Sequence, residues 1–84
     1  MITLKLYSTL GCHLCEQAEA LLQQAAERHA VEWQVVEIAS DPRLIDRFGI
    51  RIPVLQPKHC NDELAWPFDD TALDQWLGDL KQAS

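Results

Sequence analysis

Basic residues are scarce in this chain of 84 residues, which carries 7 lysines and arginines against 13 acidic residues. The formal net charge of −6 argues against a nucleic-acid-binding protein, because such a protein needs a basic surface to neutralise phosphates. It argues equally against a polybasic membrane anchor. We expect neutral or basic protein partners, since opposite charges favour association.

Long apolar runs are also missing. No stretch of about 20 apolar residues is present, so we expect no membrane span. The N-terminal sequence MITLKLY has no basic start and no small-residue cleavage site, which argues against a secretory signal peptide. We therefore expect a cytoplasmic protein, a compartment in which structural disulfides are rare.

Cysteine occurs only 3 times. An odd number disfavours a scaffold held together by disulfides, so the cysteines need another explanation: redox chemistry, a metal or no special role. Apolar residues make up 48% of the chain, which is enough for a packed core. The length suits one domain, which we assign to residues 1–84.

The spacing of apolar residues predicts the element order β-α-β-α-β-β-α. The predicted strands cover residues 2–7, 33–38, 53–56 and 63–66, and the predicted helices cover 12 to about 29, 40–48 and about 69 onwards. The first β-α-β unit should be parallel, and the short connection between the last two strands should make them antiparallel. We predict an α/β fold with a four-stranded mixed sheet and helices on both faces.

The first two predicted helices have faces and ends that can be assigned. The first should bury one apolar stripe, made of Leu14, Ala18, Leu21, Leu22 and Ala25. The second should be capped by Ser40 or Asp41, with Pro42 in its first turn and Gly49 at the C′ position.

Two of the cysteines form the motif Cys12-His13-Leu14-Cys15 between a predicted strand and a predicted helix. Residues three apart on a helix share a face, so a small adjustment brings the two sulfurs within disulfide range. Free N–H groups and the dipole at the helix N-terminus should lower the pKa of the Cys12 thiol. We predict that Cys12 attacks a substrate disulfide and that Cys15 resolves the mixed disulfide. His13 either favours the thiolate and contacts substrate, or is exposed without a role.

A zinc site is the main alternative for this motif. Zinc usually takes four ligands, of which one C-x-x-C pair supplies two. His59 and Cys60, in the predicted loop between the last two strands, are the remaining candidates, but adjacent residues seldom both bind one ion. An iron–sulfur cluster bridging two protomers is a related alternative. We predict no bound metal and no resident cofactor, and an incidental surface position for Cys60.

The chain resembles glutaredoxin-fold proteins, and more narrowly the short bacterial glutaredoxin-like family. The resemblance covers nearly the whole chain and rests on residues 7–15 (YSTLGCHLC), residues 51–55 (RIPVL) and the element order. It implies a thioredoxin-like fold of the glutaredoxin type. It also implies that the Ile52–Pro53 bond is cis and lies against the cysteine pair, with the Ile52 N–H and C=O offered to substrate.

Two departures from glutaredoxins bear on glutathione. Thr9 and Leu10 replace the basic residue usually found two or three positions before the first cysteine, and residues 66–68 (WPF) replace the usual Gly-Gly. Asp69 or Asp70 remains available for the γ-glutamyl ammonium of glutathione. The Trp-Pro-Phe segment either forms an apolar wall beside the site or covers the sheet edge.

Further residues bear on substrate binding and on proton transfer. Arg47 or Arg51 is a candidate partner for a glutathione carboxylate. Leu6 stands where thioredoxins carry a buried acid, so removing the proton of Cys15 would need water or another group.

These observations predict a monomeric thiol–disulfide oxidoreductase that transfers electrons to a protein disulfide or to glutathione disulfide. Glutathione is a candidate co-substrate, and a flavin reductase is a candidate electron donor. The predicted site residues are Cys12, Cys15, His13, Ile52, Pro53 and Asp69. The alternative is a non-catalytic redox-sensing or metal-binding interaction module on the same fold.

Overall fold

The computed structural model describes residues 2–58 and 61–83. The strands are β1 (Ile2–Ser8), β2 (Val31–Glu37), β3 (Val54–Pro57) and β4 (Leu64–Ala65), and the helices are α1 (His13–Ala25), α2 (Pro42–Phe48) and α3 (Asp70–Ala83). Their order confirms the predicted one and adds a 3₁₀ turn over Ile38–Ser40. His59 and Cys60 lie outside the described residues, so the prediction that Cys60 is an incidental surface cysteine concerns a part of the chain that the structure does not describe. None of the helices in the described ranges has the length and apolar character needed to cross a membrane.

The four strands form one mixed sheet in the order β2-β1-β3-β4. β1 is parallel to β2 and antiparallel to β3, and β3 is antiparallel to β4. The register pairs Ser8 with Glu37 and Tyr7 with Val54. The last residues of β1 and β2 therefore lie beside the first residue of β3, at an end of the sheet that we call the cysteine end.

Alternation along β1 divides the core between the two faces of the sheet. Leu4 and Leu6 are fully buried in the larger core, under α1 and α3. Tyr7 points to the other face, where it stacks on Phe48 of α2 with ring centroids 4.1 Å apart. This division follows from the two-residue period of a strand, and it confirms the prediction of helices on both faces.

α1 differs from the prediction at both of its ends. It ends at Ala25, where the Ala26 N–H donates to the Leu22 carbonyl at 2.9 Å. At its start, Leu14 is 42% exposed, so its assignment to the buried stripe is wrong. Cys15 takes the buried position instead, three residues before Ala18.

α2 begins as predicted and ends for a different reason. The Asp41 carboxylate accepts the Arg43 N–H at 2.9 Å, and Pro42 occupies the first turn. Gly49 caps the C-terminus with φ −51° and ψ −40°, so the expected left-handed C′ conformation is absent at this residue. A Cβ on Gly49 would instead lie 2.5 Å from the Ile45 carbonyl oxygen, and this close approach is what excludes larger residues.

Ion pairs join the end of α1 to α3. Arg28 binds Asp70 at 3.1 Å and Asp74 at 3.0 Å, and His29 Nε2 lies 2.8 Å from the same Asp74 oxygen. The His29 hydrogen bond, followed by that of Arg28, lowers the pKa of Asp74 below its usual value. These contacts bind the turn that follows α1 to α3, and so link the two helices that cover the larger core.

Candidate redox site

The loop between β1 and α1 positions the two cysteines. Cys12 is the N-cap residue of α1, with extended backbone angles (φ −87°, ψ 106°), and its Sγ accepts the Cys15 N–H at 3.1 Å. The two residues are joined by a disulfide, with their Cα atoms 5.3 Å apart. That separation falls in the usual range for disulfides, so the pair closes without displacing the helix.

The two sulfurs differ in their surroundings. Cys12 is partly exposed, whereas Cys15 is 5% exposed and packs one turn inside α1. Only the first sulfur therefore faces an incoming reagent. The attacking and resolving roles stay predictions, and this difference in burial is compatible with them.

Gly11 provides the turn from β1 into α1. Its φ of +79° lies in the left-handed region, which residues with a Cβ rarely adopt. The turn reverses the chain immediately before Cys12 and places that residue at the helix N-terminus.

Glu37, at the end of β2, holds this loop from the side. One carboxylate oxygen accepts the Leu10 N–H and the other accepts the Ala39 N–H, each at 3.0 Å. The Ala39 N–H, the Thr9 side chain and then the Leu10 N–H lower the pKa of Glu37 below its usual value. Sequence reasoning missed this residue, because its only local signal is a polar side chain that ends a Val-rich strand.

The Ile52–Pro53 bond is cis, as the resemblance implied, and Pro53 is fully buried. Because Tyr7 pairs with Val54, Pro53 lies next to Ser8 at the cysteine end. The expected offer of the Ile52 N–H to substrate is corrected, since that N–H already donates to the Phe48 carbonyl at 3.0 Å. Within residues 2–58 and 61–83, no backbone N–H donates to the Ile52 carbonyl, which therefore remains the candidate for pairing with a bound strand.

His13 lies at the start of α1 with a side chain that is 91% exposed. Its Nδ1 atom is 3.6 Å from a Glu16 carboxylate oxygen one turn further along. The structure therefore pairs His13 with a carboxylate in solvent. A role for His13 toward substrate stays a prediction.

Asp69 caps α3, where its Oδ1 accepts the Ala72 N–H at 2.8 Å. It lines a shallow pocket of about 350 Å³ together with Pro67, Phe68 and Ala72. Trp66 packs edge-on against Phe68 with ring centroids 5.0 Å apart, and its bond to Pro67 is a second cis bond that the sequence did not predict. One carboxylate oxygen of Asp69 therefore caps the helix. Binding of a ligand ammonium by this carboxylate stays a prediction.

The two arginines considered for a glutathione carboxylate already have a protein partner. Arg47 and Arg51 both bind Glu63, at 3.1 Å and 2.8 Å. As for metals, the residues whose placement is described contain no cluster of three or more His, Cys, Asp or Glu side chains able to hold an ion. His59 and Cys60, which entered the zinc alternative, lie outside that part of the chain.

The sequence matches the model of the glutaredoxin-like domain family (DUF836) over residues 3–78. No curated protein matches the chain. Among solved structures, the protein XcR50 from X. campestris is similar at 41% identity, with a TM-score of 0.81 over 90% of this chain and 96% of that one. The protein Ne2328 from Nitrosomonas europaea is similar at 28% identity, with a TM-score of 0.79 over 90% and 91% of the two chains.

More distant structures define the fold. A mutant thioredoxin from Halobacterium salinarum is 18% identical, with a TM-score of 0.67 over 93% of this chain and 73% of that one. At this identity the likeness concerns the fold alone. The predicted thioredoxin-like architecture is confirmed, with the two cysteines at the N-terminus of α1.

Proposed function

The chain belongs to the glutaredoxin-like domain family, and from this premise we propose that it is a thiol–disulfide oxidoreductase working through Cys12 and Cys15. The observation that carries the proposal is the position of Cys12. Its sulfur caps α1 and accepts a backbone N–H, while remaining partly exposed. Hydrogen bonds and the helix dipole at this position favour the thiolate, which is the nucleophile of disulfide exchange.

The proposed reaction transfers two electrons from the dithiol to the substrate. The Cys12 thiolate attacks one sulfur of a substrate disulfide, forms a mixed disulfide and releases the other substrate sulfur as a thiolate. Cys15 then loses its proton and attacks the Cys12 sulfur, which forms the Cys12–Cys15 disulfide and releases the reduced substrate. Leu6 is fully buried at the position of the thioredoxin acid, so water is the proposed acceptor of the Cys15 proton.

We propose a protein disulfide as the preferred substrate. Leu10, Leu14 and Ile50 are exposed by 92%, 42% and 102%, and each lies within two residues of Cys12 or of Ile52. Exposed apolar side chains beside a reactive group favour an apolar peptide segment over a small polar disulfide. The Ile52 carbonyl, to which none of the described backbone N–H groups donates, supplies one hydrogen-bond acceptor for the backbone of such a segment.

The oxidised pair must be reduced again by an external thiol or a reductase. Glutathione or a flavin-dependent reductase is the proposed source of these electrons. For glutathione, Asp69 at the shallow pocket near the start of α3 is the candidate for the ammonium group, while Arg47 and Arg51, the candidates for a carboxylate, are both paired with Glu63.

The test compares wild type with Cys12→Ser, Cys15→Ser and Cys60→Ser. Reduction of insulin by dithiothreitol and reduction of glutathione disulfide are measured. We expect wild type to accelerate insulin reduction more strongly, and Cys12→Ser to fall to the uncatalysed rate, since no nucleophile remains. Cys15→Ser should accumulate a mixed disulfide, visible by mass spectrometry as the added mass of one substrate half.

Cys60→Ser is the matched control, because it removes a thiol outside the proposed pair. It should keep the wild-type rate. Absence of turnover in wild type with both substrates would refute the catalytic proposal and leave the non-catalytic interaction module. A loss of activity in Cys60→Ser as large as in Cys12→Ser would refute the assignment of the pair.

A further inference from the structure

The sheet face that carries α2 is only half covered. α2 has 7 residues, and the core beneath it consists of Tyr7, Ile38, Phe48 and Val54, near the cysteine end. Further along the same face, Lys5 is paired across the sheet with Gln56 of β3. Both residues are partly exposed. The far half of this face is therefore polar and open.

A pocket of about 520 Å³ lies on this open half. Its polar lining consists of Lys5, Tyr7, Arg47, Gln56, Lys58 and Asn61. The volume is in the range of small-molecule sites. Neither Cys12 nor Cys15 is among the residues that line this pocket, so it is distinct from the cysteine pair.

The pocket is lined chiefly by hydrogen-bond donors. The Tyr7 hydroxyl donates to Gln56 Oε1 at 2.9 Å, which occupies the acceptor of that amide and leaves its NH₂ group as a donor. Lys5, Lys58 and Arg47 are donors only. Three of the chain's 7 lysines and arginines surround this one cavity, and none of the described residues that line it is acidic.

The positive charge of the pocket is only partly neutralised. Glu63 is the carboxylate bound to Arg47, and it is shared with Arg51. The ion pairs found within residues 2–58 and 61–83 include neither Lys5 nor Lys58. Two ammonium groups without an ion-pair partner among the described residues thus line one polar pocket, on a chain whose formal net charge is −6.

We propose that this pocket is a binding site for a small polyanion that carries phosphate or carboxylate groups. Lys5 and Lys58 bind the anion from neighbouring strands of the sheet, and the Gln56 amide donates a directional hydrogen bond between them. We infer that the ligand is a free small molecule, because the pocket volume of about 520 Å³ suits one.

The experiment titrates isotopically labelled wild-type protein with pyrophosphate and, separately, with citrate, while amide chemical shifts are recorded. The variants are Lys5→Gln and Lys58→Gln, with Arg43→Gln as the matched control. Arg43 is 91% exposed on α2 and outside the pocket lining, so its loss changes the net charge equally. A Cys12→Ser sample checks that binding is independent of the redox pair.

Shifts should be confined to Lys5, Gln56, Lys58 and Asn61 and to their neighbours. Each lysine variant should weaken binding about tenfold, as expected for a charge-assisted hydrogen bond, whereas Arg43→Gln and Cys12→Ser should bind as wild type does. The tighter of the two probes identifies the acid group. The proposal is overturned if neither probe shifts these amides, or if Arg43→Gln weakens binding as much as the lysine variants do.

Discussion

Glu37 connects two segments of backbone through one carboxylate. It accepts the Leu10 N–H from the cysteine loop and the Ala39 N–H from the 3₁₀ turn. At the scale of single residues it is thus a positioning residue for Cys12, which it does not touch. A charged acceptor makes stronger hydrogen bonds than a neutral one, so its ionised form holds the loop best.

We predict that Glu37→Gln slows the attack of Cys12 on a disulfide about tenfold, because the loop loses one acceptor and its charge. The measurement is the second-order rate of the reduced protein with insulin or glutathione disulfide, together with the pH midpoint of Cys12 alkylation. Both readouts should move while the circular dichroism spectrum is unchanged.

Glu32→Gln is the control for this prediction. Glu32 lies on the same strand and accepts the Thr3 hydroxyl at 3.3 Å, near the start of β1 and away from the cysteine loop. Its variant should react like wild type. Equal rates for the Glu37 and Glu32 variants would show that the loop keeps its position without the carboxylate.

Site residues could be predicted from the sequence where the motif that reveals them spans only a few neighbouring residues. The C-x-x-C motif and the Ile-Pro step each lie within a few residues, and the cis bond was found where the family resemblance placed it. Glu37 could not be predicted, because its bond to Leu10 joins residues 27 apart in the chain. The hydrogen bond of the Ile52 N–H could not be predicted either, since it depends on where α2 ends.

Among the elements, α3 is joined to the turn that follows α1 through Asp74. This carboxylate binds both His29 and Arg28 of that turn. The lowered pKa of Asp74 means that folding favours its ionised form. Its stabilising effect is complete above the usual aspartate pKa and is lost as the pH falls through the lowered value.

We therefore predict that Asp74→Asn unfolds at a lower urea concentration than wild type at about pH 7. The difference should shrink as the pH falls below the usual aspartate pKa, where wild type also loses the charge. Urea midpoints at about pH 7 and about pH 2.5 provide the measurement. Asp79→Asn, an exposed site on the same helix, should follow wild type at both values. A difference that stays constant across this range would contradict the ionic explanation.

The elements themselves were largely predictable, because hydrophobic periodicity reports the buried face directly. Their ends were less so. The turn from Ala26 to His29 reads as helix in sequence, yet the chain leaves α1 there to bring Arg28 and His29 onto α3. The spacing of Leu14 fitted the apolar stripe of α1, but in the first turn of this helix Cys15 is buried and Leu14 is exposed.

The whole molecule combines an acidic balance with a basic pocket away from the cysteines. With a formal net charge of −6, the surface attracts cationic partners over a range of about 30 Å at 0.01 M salt. Screening shortens this range to about 10 Å at 0.1 M salt. The electrostatic field of the net charge therefore affects the rate at which a substrate approaches more than the rate of disulfide exchange.

We predict that a cationic peptide disulfide reacts with the reduced protein on the order of tenfold faster than an anionic one of equal length at low salt. The ratio should approach one at about 0.5 M salt, because the charges are then screened. An uncharged peptide disulfide serves as the control, and its rate should not depend on salt. Equal rates for both charged peptides at low salt would show that local contacts alone select the substrate.

The direction of β1 also has a practical consequence. Ile2 begins this strand and Ser8 ends it, so the described N-terminus lies about 20 Å along the sheet from the cysteine end. Tethering the chain to a resin or an electrode through a short N-terminal linker would place the start of β1 at the support and the cysteine end of the sheet towards solution. An immobilised layer of this domain would then present the Cys12–Cys15 pair in one orientation.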